Sequence, residues 1–327
     1  EQNITHAPGM EHVREMVTGP IIPTPGAVME CTKLLYEYLG DLIVLDVGGA
    51  TTDLHSVTVE SDQVARLMIS PEPKAKRTVE GDLGVYVNRW KVVESIGEEK
   101  LREQCREQGF SMEHALETYR AIPKTEEEVK LVELLTREAV VKAAERHAGR
   151  LRYIYGPSGR STVAEGKDLT QVKYIVGTGG ALTRLPHREE IMREITRCNE
   201  SGMLLLPGEH AQILVDHDYI MASLGVLSKR YPQAAARLLE QSLGITFPER
   251  KAEEPVPVCN KELSRLETQR QQREEELRRH IEECEAMGYD MSAYRENKPK
   301  AGDCSHECSR CTRLHCPNRT TQEGASS

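Results

Sequence analysis

The sequence predicts an α/β fold from three observations. Residues 41–59, DLIVLDVGGATTDLHSVTV, read as a buried strand, a glycine-tipped turn and a second β-branched strand. Residues 174–180, YIVGTGG, repeat the opening of that pattern, an apolar strand running into a glycine turn with helical sequence beyond it. Between the two lie long charged stretches of helical periodicity.

The elements follow in order. Residues 1–25 are a loop-rich lead-in, because Pro20, Pro23 and Pro25 exclude a regular helix. Val28, Leu34, Leu35 and Leu39 give residues 26–39 the period of a helix. Residues 42–45 and 54–59 are the strands of the first hairpin. Residues 63–69 read as a third strand, closed by Pro71 and Pro73, which makes a meander over 42–70. Residues 80–84 form a polar loop opening a helix that runs on through Trp90 and Val93. Residues 98–120 and 125–147 are two charged amphipathic helices, the second starting at Thr125 with Glu126, Glu127 and Glu128 in its first turn. The Gly- and Ser-containing stretch 149–168 reads as a loop. After the strand at 174–176 come a helix over 186–197, a strand over 203–206, and helices over 218–229 and 233–243 broken at Pro232. Residues 246–258 are a charged, proline-containing linker. Residues 259–296 are a charged helix whose near-heptad stripe is interrupted by Arg270 and Arg273, and 297–327 is a Cys-rich tail low in apolar residues.

Bulk properties narrow the function. The 327 residues suffice for about two domains. A net charge of −9, with 29% charged residues, argues against general nucleic-acid binding. No apolar run approaches the roughly 20 residues that cross a bilayer. The opening EQNITHAPGM lacks the regions of a signal peptide and an initiator methionine, so the chain is read as a fragment or a processed product. Cys31, Cys105, Cys198, Cys259 and Cys284 are scattered, and in an acidic chain without a signal they read as reduced thiols of a cytoplasmic protein.

The chemistry concentrates in two glycine loops. Gly48 and Gly49 permit close backbone approach and φ > 0. With the hydroxyls of Thr51 and Thr52 and the carboxylates of Asp46 and Asp53, the hairpin tip suits phosphate oxygens together with Mg²⁺ or a water. The same residues also describe an ordinary Gly-Gly hairpin. Gly177, Thr178, Gly179 and Gly180 place free amides before a helix, which favours a nucleotide, or else simply make a tight turn. Two such loops separated by a helical insertion favour the nucleotide.

The wording of both loops resembles a known superfamily. DVGGATTD resembles the second phosphate motif of the actin, sugar kinase and heat-shock chaperone ATPases, and VGTGGALTRLP resembles their adenosine motif. EGDLG, with Glu80, Gly81 and Asp82, falls where the chaperone ATPases have a glycine-rich loop opening a helix beside the nucleotide cleft. The resemblance implies a ribonuclease H-like mixed sheet with flanking helices: the C-terminal lobe of an actin-like ATPase over 26–245, with a helical insertion at about 95–150. More closely, DVGGATTDLHSV, RTVEGDLGV, VGTGGALTRLP and DYIMASLGVLSKRYPQAA resemble the glutamate mutase accessory family called MutL or GlmL, over most of 20–245.

That family resemblance implies an ATP-driven reactivating factor or chaperone for cobalamin-dependent mutases. Mutase subunits would be the partners, with self-association left open. It assigns Asp46, Gly48, Gly49, Thr51, Thr52 and Asp53 to phosphate and Mg²⁺, the two carboxylates being the catalytic pair that places the metal or a bridging water. It assigns Gly177, Gly179 and Gly180 to adenosine, with Thr178 in the same loop. A full member opens with another aspartate–glycine hairpin, which residues 1–40 do not supply. The chain is therefore expected to be truncated, and to hydrolyse ATP only with the missing N-terminal lobe.

In the tail, Cys304, Cys308, Cys311 and Cys316 lie within thirteen residues, interleaved with His306 and His315. Four converging soft ligands suit structural Zn²⁺ first and an iron–sulfur cluster second, with unliganded thiols as the bland reading. The cluster opens an alternative function, an ATP-driven redox activator; a non-catalytic mutase-binding module is a third. His55 reads as an outward strand residue, His210 and His217 as capping or surface residues, and Trp90 as core.

Overall fold

The computed structural model describes residues 21–156, 159–199 and 201–248, together with helical positions at Glu275, Arg278, Arg279 and Glu282. The expected linker beyond 248, most of the charged helix and the whole Cys-rich tail lie outside the described residues.

Among the described residues the centre is a five-stranded mixed sheet. Strands β1 (Leu42–Val47), β2 (Thr52–Val57) and β3 (Ala75–Glu80) form an antiparallel meander. On the other side of β1, β6 (Tyr174–Thr178) and β7 (Gln212–Val215) run parallel to it, giving the order β3-β2-β1-β6-β7. A separate hairpin pairs β4 (Arg150–Gly156) with β5 (Gly159–Glu165). β1 is apolar on both faces because both are covered, as expected of a central strand. Ile43, Leu45 and Val47 join Leu54 and Ile175 in one core. Leu42 and Val44 join Val176 and Leu214 in the other.

The first core is closed by the long helix α6 (Glu126–His147), reached through α3 (Arg89–Ile96), α4 (Glu98–Glu107) and α5 (Met112–Glu117). Thr125 caps α6: Glu128 N–H donates to its Oγ1 at 3.2 Å, and the Glu128 carboxylate accepts from the Thr125 amide. The second core is closed by α1 (Thr24–Leu39), α9 (Met221–Ser228) and α10 (Pro232–Leu243). α9 crosses α1 at Gly225, where a Cβ would stand 1.8 Å from the Ala27 carbonyl oxygen. Only a residue without a side chain permits that approach.

Several elements differ from the sequence reading. The third strand is 75–80, not 63–69; residues 62–65 form a short helix, α2 (Asp62–Ala65), capped by Ser61. β3 is an edge strand, so it tolerates an exposed Arg77 and a half-buried Lys76, and these charges hide its alternation. Pro23 and Pro25 begin α1 rather than exclude it, since proline suits the first turn. The stretch 98–120 breaks at Gly109 (φ 84°) into α4 and α5, with Ser111 capping the second. The stretch 149–168 is the β4–β5 hairpin, not a loop. Helix α7 (Gly179–Arg184) begins inside the second glycine loop, ahead of Pro186, and α8 (Arg188–Arg193) follows. Residues 203–206 contribute only a bridge between Leu204 and Arg150. Pro232 opens α10.

Two side chains also reverse their expected settings. Trp90 is 55% exposed, and His55 is fully buried. Neither ring nitrogen of His55 has a hydrogen-bond partner. Burial, aided by the charge of Arg77, depresses its pKa to about 3. A histidine held neutral when folded but free to protonate near 6.5 when unfolded loses stability as pH falls below 6.5 toward 3. His55→Leu is therefore expected to raise stability by about 1 kcal/mol at neutral pH, through removal of an unsatisfied polar ring. It should also shrink the acid loss, as urea melts at pH 7 and pH 5 would check.

Candidate nucleotide site

The sheet brings the two glycine loops to one end of its strands. β1 and β6 are parallel neighbours in the register Asp46↔Thr178, so both loops leave at the same end. β2 returns antiparallel with Asp46 opposite Asp53. β7, parallel to β6, ends at the same level and delivers Asp216. Side chains alternate along a strand, and the register puts Asp46, Asp53, Thr178 and Asp216 on one face. Convergence at the carboxyl ends of parallel strands is where α/β sheets bind ligands.

The loops touch. Gly179 has φ 85°, and a Cβ there would lie 2.6 Å from Asp46 Oδ1 and 2.5 Å from the Val47 carbonyl oxygen. Glycine is thus required twice, for the backbone conformation and for the contact. A Cβ on Gly180 meets nothing within 4 Å. A Cβ on Gly177 would collide with Met192, so this glycine serves packing.

At the hairpin tip, Gly48 N–H donates to the Thr51 carbonyl at 2.9 Å. The Gly48 carbonyl accepts from Val85 N–H at 3.2 Å, and the Gly49 carbonyl from Tyr86 and Val87 N–H at 2.9 and 2.7 Å. Asn88 Nδ2 donates at 2.7 Å to both Ala50 O and Gly81 O. Gly84 packs so tightly on Ala50 that a Cβ would lie 2.2 Å from its carbonyl group. The third glycine-containing loop is thus keyed to the tip through backbone. Among the described residues the amides of Gly49, Ala50 and Thr51 have no backbone acceptor.

The expected polar groups divide. Thr51 Oγ1 donates to Asp53 Oδ2 at 3.0 Å. Thr52 is fully buried, its Oγ1 donating to the Leu83 carbonyl at 2.7 Å. The Glu80 and Asp82 carboxylates are held by Arg146 of α6, at 2.6 Å for Glu80 and at 2.8 Å for each oxygen of Asp82. The Arg146 hydrogen bond lowers the Asp82 pKa. Asp53 Oδ1 is buried without a partner, and burial raises the Asp53 pKa. Asp46 rises to about 6, chiefly through burial and then through the charges of Asp53 and Asp216.

A buried orphan oxygen beside a second carboxylate pushed toward protonation by burial and then by like charges suits a hard cation. Among the described residues no group of three or more His, Cys, Asp or Glu could hold a metal. Two carboxylates instead match Mg²⁺, which takes one or two protein carboxylates and completes its octahedron with phosphate oxygens and water. Cys304, Cys308, Cys311 and Cys316 lie outside the described residues.

Sequence reasoning missed Asp216. It is fully buried; Oδ1 accepts from Ser242 Oγ at 2.6 Å and Ile220 N–H at 3.2 Å, Oδ2 from Thr178 Oγ1 at 2.8 Å and Met221 N–H at 3.0 Å. It ties the second glycine loop to the start of α9. The signal was present, since QILVD repeats the LIVLD pattern of the first loop. Tyr219 was missed too. It holds φ 55°, rare without glycine, and its pKa is raised by burial and then by the charges of Asp46 and Asp216.

A family model described as MutL protein matches residues 1–243. Protein MutL of Clostridium tetanomorphum is 34% identical over 254 residues, which is 74% of this chain and 55% of that protein. The chain thus spans about half the length of the curated relative it matches. The match takes in every strand and loop of the site described above, and on this ground the chain belongs to the MutL family.

Proposed function

We propose that this chain is the C-terminal lobe of an actin-like nucleotide-binding unit, and that the protein serves a cobalamin-dependent mutase such as glutamate mutase as an ATP-driven accessory factor. The observation that carries the nucleotide reading is the unpaired Asp53 Oδ1 beside Asp46, at the point where Gly179 backs onto the first loop. The amides of Gly49, Ala50 and Thr51 would take phosphate oxygens, and the open side of Gly180 would admit adenosine. Asp46 and Asp53 would hold Mg²⁺, which supplies charge neutralisation for phosphoryl transfer. Asp216 would keep the second loop in place through Thr178. Hydrolysis requires an opposing lobe, as the family resemblance implies, and its closure is the step that would act on the mutase.

Titration calorimetry with MgATP tests the nucleotide reading. The expected result is Mg²⁺-dependent binding, weakened roughly tenfold or more by Asp53→Asn, as befits a lost charged contact. Absence of binding to the unaltered protein would refute it. The accessory role is tested separately, by reactivation of inactivated glutamate mutase with ATP and a protein that carries both lobes; the role falls if the Asp46→Asn form of that protein reactivates as well as its parent.

A further inference from the structure

The helices after the first glycine loop enclose a groove that the nucleotide reading does not use. It has a volume of about 360 Å³ and lies among α3, α4 and α5. Its floor is apolar: Val93, Met112 and Leu116 line it, each from a position otherwise buried. Trp90 lines it as well, more than half exposed. A large aromatic ring left in water beside an apolar floor is the composition of an interface anchor, not of an ordinary surface.

The charges around the groove choose the occupant. Glu98, Glu113 and Glu117 line it with Arg102, and the Arg89 guanidinium stands 5.4 Å from the Trp90 ring at its margin. Arg102 is engaged internally, because its Nε donates to Glu113 Oε1 at 2.8 Å. Glu98 shares the remaining field of Arg102, and three carboxylates against one guanidinium leave the lining of the apolar slot net acidic. A basic apolar segment is complementary on both counts; an acidic or purely apolar one satisfies only half.

We propose that this groove docks a lysine- or arginine-bearing amphipathic segment of a protein partner, with an apolar side chain seated against Trp90. That the partner is a mutase subunit rests on the accessory reading above; the docking chemistry does not. The chain as a whole is acidic, at −9, which favours approach of a basic segment and repels acidic surfaces.

Trp90 is the sole tryptophan of the chain, so intrinsic emission reports this place alone. The probe is a synthetic tryptophan-free amphipathic peptide of alternating leucine pairs and lysine pairs, titrated into the full chain without nucleotide. Saturable binding with a blue shift of Trp90 emission is expected, weakened by added salt. The double variant Glu98→Lys/Glu117→Lys should lose roughly tenfold or more in affinity. The counterpart peptide with glutamate for lysine should not bind. An unchanged spectrum, equal binding of both peptides, or equal binding by the charge-reversed variant would overturn the proposal. Because MgATP is absent from this assay, loss of peptide binding with intact nucleotide binding refutes the groove alone, and the reverse refutes the nucleotide site alone.

Discussion

Gly225→Ala is expected to destabilise the protein by about 2–3 kcal/mol, although alanine is the better helix former by roughly 1 kcal/mol. The reason is steric. The added Cβ would stand 1.8 Å from the carbonyl oxygen of Ala27 and 2.6 Å from its carbon, and both are backbone atoms of α1. No flexible side chain can swing away, so α1 and α9 must separate and open the core that Leu35, Leu224 and Leu239 share. In a unit of this size that corresponds to a fall in Tm of roughly 5–10 °C. Gly180→Ala is the control, because its Cβ meets nothing within 4 Å. A calorimetric scan in which Gly225→Ala melts at or above the parent would contradict the close crossing of the two helices.

Asp46→Asn should have two opposite effects. The native carboxyl titrates at about 6 against 3.8 for the ordinary group. A folded value above the unfolded one means that folding disfavours the ionised form. The group therefore costs nothing below 3.8, and its cost grows as pH rises from there toward 6 and levels off above it. Asparagine keeps the shape without the charge, so the variant should be more stable than the parent at pH 7.5, by up to about 2 kcal/mol. The gain should fade as pH is lowered toward 4. MgATP binding should move the other way and be lost. A stability difference that is flat with pH would show that the charge of Asp46 is not the source of the cost.

The parts legible in the sequence were those where burial forces apolar composition. β1 and β6 are central strands covered on both faces, and their runs of Leu, Ile and Val announce them. The glycine loops were legible because close backbone contact leaves no alternative residue at Gly179. β3 was illegible since an edge strand carries lysine and arginine, and 63–69 imitated it with apolar residues that instead pack a short helix. His55 misled because local sequence does not tell which face of β2 is covered. Trp90 misled in the opposite sense: composition assigns tryptophan to the core, and only the arrangement of α3, α4 and α5 leaves it outside. Asp216 went unnoticed because no glycine follows it. It acts by holding other groups, a role that shows only when its four hydrogen bonds are seen together.

The pairing of β1 with β2 carries a consequence for how this protein can vary. Asp46 and Asp53 lie opposite one another, and the strand period is two, so both depend on the same odd–even parity as Leu42, Val44 and Val57. A slip of one residue between these strands would misalign the carboxylates and exchange the two cores at once. Deletions or insertions that disturb the hairpin are thus penalised through the core even when ligand binding is not under test. The carboxylate pair is guarded by hydrophobic packing, and its geometry should outlast changes in whatever the surface of the protein meets.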